Sequence, residues 1–298
     1  MENIRKPLGV GTIVLVIFIA ITLPQAEWKP VKLPDCNEDI NTIFMLTPKA
    51  GWAAGKAGLL LKYDGNDWNL QTRASNGLNA LYFLDENHGW AVGNQGKILH
   101  YNGKDWSMEA SGVLSTLASV FFTHPLNGWA VGDNGVVLHY DGAWKSIPSG
   151  TKSRLMSVFF IDSSHGWAVG ANGTVLFYDG RQWKNQNCGS SVWLWGVHFS
   201  DPKHGWAVGN NGSILEYTNG KWSLAKSPTR AHLTAVITQG RSRAWAVGNG
   251  TILSNDGMGW RIVQNMLPIR LAAVSFAGPS YGVAAGNNGQ IYHFEGRQ

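Results

Sequence analysis

The sequence predicts an all-β fold: a seven-bladed β-propeller of four-stranded antiparallel blades, closed by an N-terminal strand that completes the last blade and preceded by one N-terminal membrane helix. Three observations carry this expectation. Gly-Trp-Ala-Val-Gly or a near relative begins at Gly51, Gly89, Gly128, Gly166, Gly205, Ala244 and Gly282, at spacings of 38, 39, 38, 39, 39 and 38 residues. That period suits a four-strand blade and exceeds the 33 to 34 residues of common helical repeats. Asn-Gly and Asp-Gly pairs punctuate the short apolar runs, as hairpins require. Finally, the two ends of the chain hold complementary pieces of one repeat.

Residues 1–26 stand outside the repeats. Arg5 and Lys6 precede an uncharged run from Leu8 to Leu23, which includes Val14, Ile17 and Phe18 and is bounded by Pro7 and Pro24. This reads as a signal peptide or a signal anchor: as a helix the run spans about 24 Å, short of a hydrocarbon core of about 30 Å, which favours a cleaved signal. A signal peptidase wants small residues before its cut, and Pro24-Gln25-Ala26 supplies only one. The expectation is therefore an uncleaved signal anchor (1–26), with the N-terminus cytoplasmic and the propeller (27–298) membrane-anchored on the extracytoplasmic, periplasmic or lumenal, side.

Within a repeat the elements follow from their residues. A first strand such as Leu117–Phe122 is an apolar run. After a polar loop, Gly128–Gly132 forms the second strand, Asn134-Gly135 the next turn, and Val136–Tyr140 the third strand. Asp141-Gly142 then turns the chain into a fourth strand opened by Trp144. The last repeat stops at Phe294-Glu-Gly-Arg-Gln298, which aligns with Tyr178–Gln182 and lacks everything from Trp183 onward. Trp28–Leu33 resembles the missing piece and precedes the first strand of blade 1, so it should close the ring.

The ring also sorts the tryptophans. Of fifteen, six belong to the Gly-Trp strand (52, 90, 129, 167, 206, 245) and seven open fourth strands (28, 68, 106, 144, 183, 222, 260). Trp193 and Trp195 remain. Trp195 occupies a variable first-strand position, where local packing is expected.

In such a ring the loops joining blades share one face with the turns between second and third strands. The residue before each first strand should then ring the channel mouth: Asp39, Gly77, Thr116, Arg154, Trp193, His232 and Arg270. Basic and aromatic residues gather from blade 4 to blade 7, where Arg154, Trp193, Arg230, His232 and Arg270 form a candidate partner-binding surface, arginine and tryptophan being enriched at interface hot spots.

Other chemistry is poorly supported. His88, His165 and His204 occupy equivalent positions in separate blades, too far apart for the roughly 2 Å bonds of one metal, and turn hydrogen bonding is expected for them. Cys36 and Cys188 fall in loops on opposite sides of the ring, so two unpaired thiols are expected. There is no nucleophile elbow or phosphate loop, and of the mouth residues only Asp39 is acidic. Residues 27–298 hold 22 Lys and Arg against 18 Asp and Glu, a weak charge for nucleic acid. No catalytic residue, cofactor, metal, nucleic acid or small-molecule substrate is expected.

Seven copies of Gly-Trp-Ala-Val-Gly or a near relative, followed in the fuller repeats by Asn-Gly, an Ile-Leu-type strand and Asp-Gly-x-x-Trp, resemble the photosystem II stability and assembly factors and their non-photosynthetic bacterial relatives, within the Asp-box or sialidase-like repeat propellers. The likeness covers residues 28–298. Among the repeats, Ser254-Asn-Asp-Gly257 comes nearest to an Asp-box. The resemblance implies an arginine patch for docking and a membrane protein complex as partner, such as a photosynthetic reaction centre. The function expected is a membrane-tethered binding scaffold that docks on, assembles or stabilises such a complex. A carbohydrate-binding or glycoside-hydrolase propeller is the alternative, and paired carboxylates in a deep pocket would favour it.

Overall fold

The computed structural model describes residues 27–33 and 36–296. The anchor expected over 1–26 lies outside the described residues. Among those described, no helix is long and apolar enough to cross a membrane.

Seven four-stranded antiparallel sheets are present, six running in chain order. Blade 3, for example, comprises Leu117–His124, Asn127–Gly132, Val137–Tyr140 and Trp144–Ser146. The seventh sheet joins Leu271–Phe276, Tyr281–Gly286 and Gln290–Glu295 to the N-terminal strand Trp28–Lys32. Trp28 pairs with Phe294 and Lys32 with Gln290, so the chain ends do close the ring. Boundaries differ slightly from expectation. The fourth strand of blade 5 starts at Lys221, one residue before its tryptophan. Asn-Gly pairs such as Asn134-Gly135 sit in single 3-10 turns, with Asn134 at φ 59° and Gly135 at φ 69°, left-handed values that asparagine and glycine tolerate best, whereas Asn249-Gly250 of blade 6 is a two-residue hairpin between Gly248 and Thr251.

The core lies between blades. Five of the six Gly-Trp tryptophans stack on an aromatic ring of the following blade, as Trp90 does on Phe122 and Trp167 on Phe199, both at 3.6 Å between centroids and 14° between planes, while Trp206 meets Trp260 edge-on. The fourth-strand tryptophan of that next blade meets the stack edge-on, as Trp144 meets Phe122 at 89°. The first glycine of the motif is needed because the phenylalanine lies directly over it. A Cβ on Gly128 would fall 2.2 Å from the Phe122 ring.

Hydroxyls on the inner strands lace neighbouring blades. Thr42 Oγ1 accepts from Leu81 N, Ser119 Oγ from Val158 N, and Ser157 Oγ from Val197 N. A belt of rings runs Phe44, Tyr82, Phe121, Phe159 and His198 through successive blades, at centroid separations of 5.3, 4.6, 5.0 and 4.2 Å.

His198 makes this belt acid-sensitive. Its Nδ1 accepts from Thr238 N (3.3 Å), and burial pulls its pKa down to about 4. The unfolded chain would take up the proton near pH 6.5, so folding stability should decline as pH falls from about 6.5 to about 4, by up to about 3 kcal/mol. His100, His139 and His293 are lowered by burial with the same sign. Thermal unfolding between pH 7.5 and 4 should show the decline, and His198→Phe, which copies Phe159, should flatten it. An equal slope in the variant would refute this assignment.

Candidate channel-mouth binding site

One backbone contact repeats in every blade and shapes the mouth. The carbonyl of the residue before each first strand accepts a hydrogen bond from the N–H seventeen residues later, in the Asn-Gly turn. The acceptors are Asp39, Gly77, Thr116, Arg154, Trp193, His232 and Arg270, at 2.8–3.1 Å. All seven expected mouth residues thus occupy equivalent places. The final glycine of the motif exists for this contact: a Cβ on Gly132 would lie 2.0 Å from the Thr116 carbonyl oxygen, and one on Gly209 2.1 Å from that of Trp193.

A second ring lies just inside. Pairing between first and second strands skips one residue in every blade: Asn41, Asn79, Ala118, Met156, Trp195, Thr234 and Ala272. Such bulges re-aim a side chain and increase local twist, and here the seven positions differ in chemistry around the mouth. Asn41 and Asn79 donate to the Leu78 and Leu117 carbonyls of the next blade, at 2.8 and 2.9 Å. Thr234 donates likewise to Leu271 (2.7 Å). Ala118, Met156, Trp195 and Ala272 present apolar surface instead.

These residues and the mouth enclose a cavity of about 650 Å³, lined also by Arg154, His232, Arg270, Asn210 and Asn249. Three of the five expected binding residues therefore share one cavity. Arg154 is half-buried and paired with Asp133 of the preceding blade, Nε to Oδ1 2.6 Å. His232 Nδ1 and Trp195 Nε1 both reach Asn210 Oδ1, at 2.9 and 2.6 Å. Arg270 is exposed, and its backbone N–H is held by Asn287 Oδ1. Trp193 lies outside the lining, tilted against Trp195 with centroids 5.8 Å apart. Arg230 is exposed on the loop beyond it, also outside the cavity.

Trp195 is where the structure adds most to the sequence reading. It packs on Trp193 as expected, but it also walls the cavity. Gly196 makes room beside it, since a Cβ there would meet Ala235 Cα at 3.1 Å.

The titratable side chains of the lining are Arg154, His232 and Arg270, and no carboxylate or tyrosine is among its described residues. Asp39, nearby, is bonded to Lys56 (2.6 Å) and to Asn288 N. The Lys56 bond, then the Asn288 amide, hold its carboxyl below the usual range. The mouth therefore offers cations, amides and an indole, a set that favours an anionic or amide-rich guest with some apolar surface.

The remaining expectations resolve into local structure. His88, His165 and His204 each bond the aspartate three residues back, Asp85, Asp162 and Asp201, with closest contacts of 2.9 Å. Among the described residues no group of three or more His, Cys, Asp or Glu is placed to hold a metal. Both cysteines are unpaired. Cys188 stands where other blades have Ser111, Ser149 and Ser227: each donates to the carbonyl two residues on, Cys188 to Ser190, so the thiol replaces a turn hydroxyl.

No protein-family model matches the sequence, and a search of the curated proteins finds no match. Solved structures do share the fold. YCF48 bound to a D1 peptide aligns with a TM-score of 0.76 at 19% identity, over 92% of this chain and 97% of that one. YCF48 from Cyanidioschyzon merolae gives 0.73 at 19%, over 91% and 99%. A virginiamycin B lyase from Staphylococcus aureus gives 0.79 at 13%, over 91% and 99%. At these identities the likeness establishes the seven-bladed propeller, a scaffold shared by binding proteins and enzymes.

Proposed function

We propose that this protein is a binding scaffold that docks, through the mouth between blades 4 and 7, on an extramembrane segment of a membrane protein complex and supports its assembly or stability. The observation that carries the reading is the convergence of Arg154, His232 and Arg270 on one cavity walled by Trp195 and free of carboxylates among its described lining. The likeness in fold to YCF48, solved with a D1 peptide, supports a photosynthetic membrane protein as the partner class. The N-terminal apolar run supports tethering, which would raise the local concentration of scaffold near such partners without any new contact. The reading is binding rather than catalysis, because glycosidase chemistry needs paired carboxylates or a tyrosine nucleophile at the reacting centre.

The test is affinity purification of the full chain from gently solubilised membranes, followed by mass spectrometry. Arg154→Glu combined with Arg270→Glu should reduce recovery of the partner complex at least about tenfold, the effect of losing one or two charge-assisted contacts of about 1.5–3 kcal/mol. Unchanged recovery with a folded variant would refute the basic mouth as the docking surface.

A further inference from the structure

We propose a second interaction surface, distinct from the mouth: the outer edge of blade 6 rests on a lipid bilayer, so that the propeller stands edge-on beside the membrane. This rests on the tether reading above. Three observations converge on it. The closing strand Trp28–Lys32 is the outermost strand of blade 7, so the chain joins the ring at its rim. Only four residues, 24 to 27, separate Trp28 from the apolar run ending at Leu23. Fully extended they reach about 14 Å, which keeps the rim of blade 7 and its neighbours near the surface that holds the run.

The adjoining edge is also apolar. Met258 and Met266, at 92% and 91% exposure, are the two most exposed large apolar side chains of the described residues, and Ile262 lies between them at 40%. They mark the start, middle and end of the outer strand region of blade 6 (Trp260–Gln264), forming a stripe over its full height. A stripe along the whole height fits a plane laid against the edge, whereas a contact by either flat face would use one end only. Leu224, 72% exposed, continues the surface onto the outer strand of blade 5.

Cations flank the stripe as interfacial contact favours: Arg261 within it, Lys29 on the closing strand and Lys221 beside Leu224 are all exposed. Long basic side chains can lay apolar stems on such a surface while their charges reach the headgroups. Glu27, Glu295 and Asp256, the last at 3.7 Å from Arg261 Nε, are the nearby acids. Edge-on contact would leave both flat faces open and turn the mouth cavity parallel to the bilayer, toward a neighbouring membrane protein.

The experiment uses the full chain with Cys36 and Cys188 replaced by serine, carrying single cysteines at Met258, Ile262 or Met266, or at Leu114 on the loop leaving blade 2. Each is labelled with bimane and reconstituted into vesicles of phosphatidylcholine and phosphatidylglycerol with brominated acyl chains. The expected result is flotation of every variant with the vesicles, with fluorescence falling about twofold at the three blade 6 positions and staying level at Leu114, as shallow interfacial insertion predicts. Flotation without quenching at blade 6, or with quenching at Leu114 instead, overturns the edge contact and leaves the tether standing. Loss of flotation overturns both.

Discussion

Deleting residues 27–33 should destabilise the propeller more than any point substitution, because it opens the ring. The deletion removes five strand pairings, from Trp28–Phe294 to Lys32–Gln290, and uncovers the seam where Trp28, 1% exposed, meets Trp245 and Phe276 edge-on at 5.8 and 5.9 Å. Leu33, buried against the core of blade 1, leaves with it. Trp28→Ala alone should cost about 3–5 kcal/mol, a large part of the 5–15 kcal/mol that typically holds a domain folded. The full deletion should therefore leave little folded protein, read as loss of the cooperative thermal transition in tryptophan fluorescence. A rescue makes the argument specific. Adding Trp28–Leu33 directly after Gln298 recreates the order seen at Tyr178–Trp183, and it should restore the transition. A deletion that melts like the parent would show that the chain ends do not hold the ring.

Trp167→Ala should have the next largest effect, about 3–5 kcal/mol, with Trp167→Phe costing only about 1–2 kcal/mol. Trp167 is fully buried, stacked on Phe199 at 3.6 Å and bordered by Phe177 and Tyr217. Its indole N–H meets no acceptor among the described residues, so its value lies in ring area and contact, most of which phenylalanine keeps. Urea unfolding of the two variants separates the cases. Equal losses would assign the stability to a polar contact of the indole instead.

Much of the fold was legible because its constraints are local and repeated. Each motif glycine answers one close approach, Gly128 to Phe122 and Gly132 to the Thr116 carbonyl, and seven repetitions of those needs print a pattern that a single sequence can show. The mouth ring was legible for the same reason, since its seven residues precede seven recognisable strands. The second ring was not. A bulge changes pairing without demanding a residue type, and Asn41, Met156, Trp195 and Thr234 share no chemistry that would mark them as equivalent. The Arg154–Asp133 pair escaped too, because it joins adjacent blades and depends on their packing distance. The cysteines were read as unpaired, but the serine-like turn role of Cys188 needed the alignment with Ser111, Ser149 and Ser227 to be seen in space.

The seven carbonyl contacts at the mouth have an evolutionary meaning. They satisfy the backbone at Asp39, Gly77, Thr116, Arg154, Trp193, His232 and Arg270 through main-chain atoms alone, so this repeated contact asks for no particular side chain at any of the seven positions. Glycine, threonine, tryptophan and arginine already serve there interchangeably. Lineages could therefore exchange recognition chemistry one position at a time without refolding the scaffold, and the mouth would diverge in specificity faster than the blades diverge in sequence.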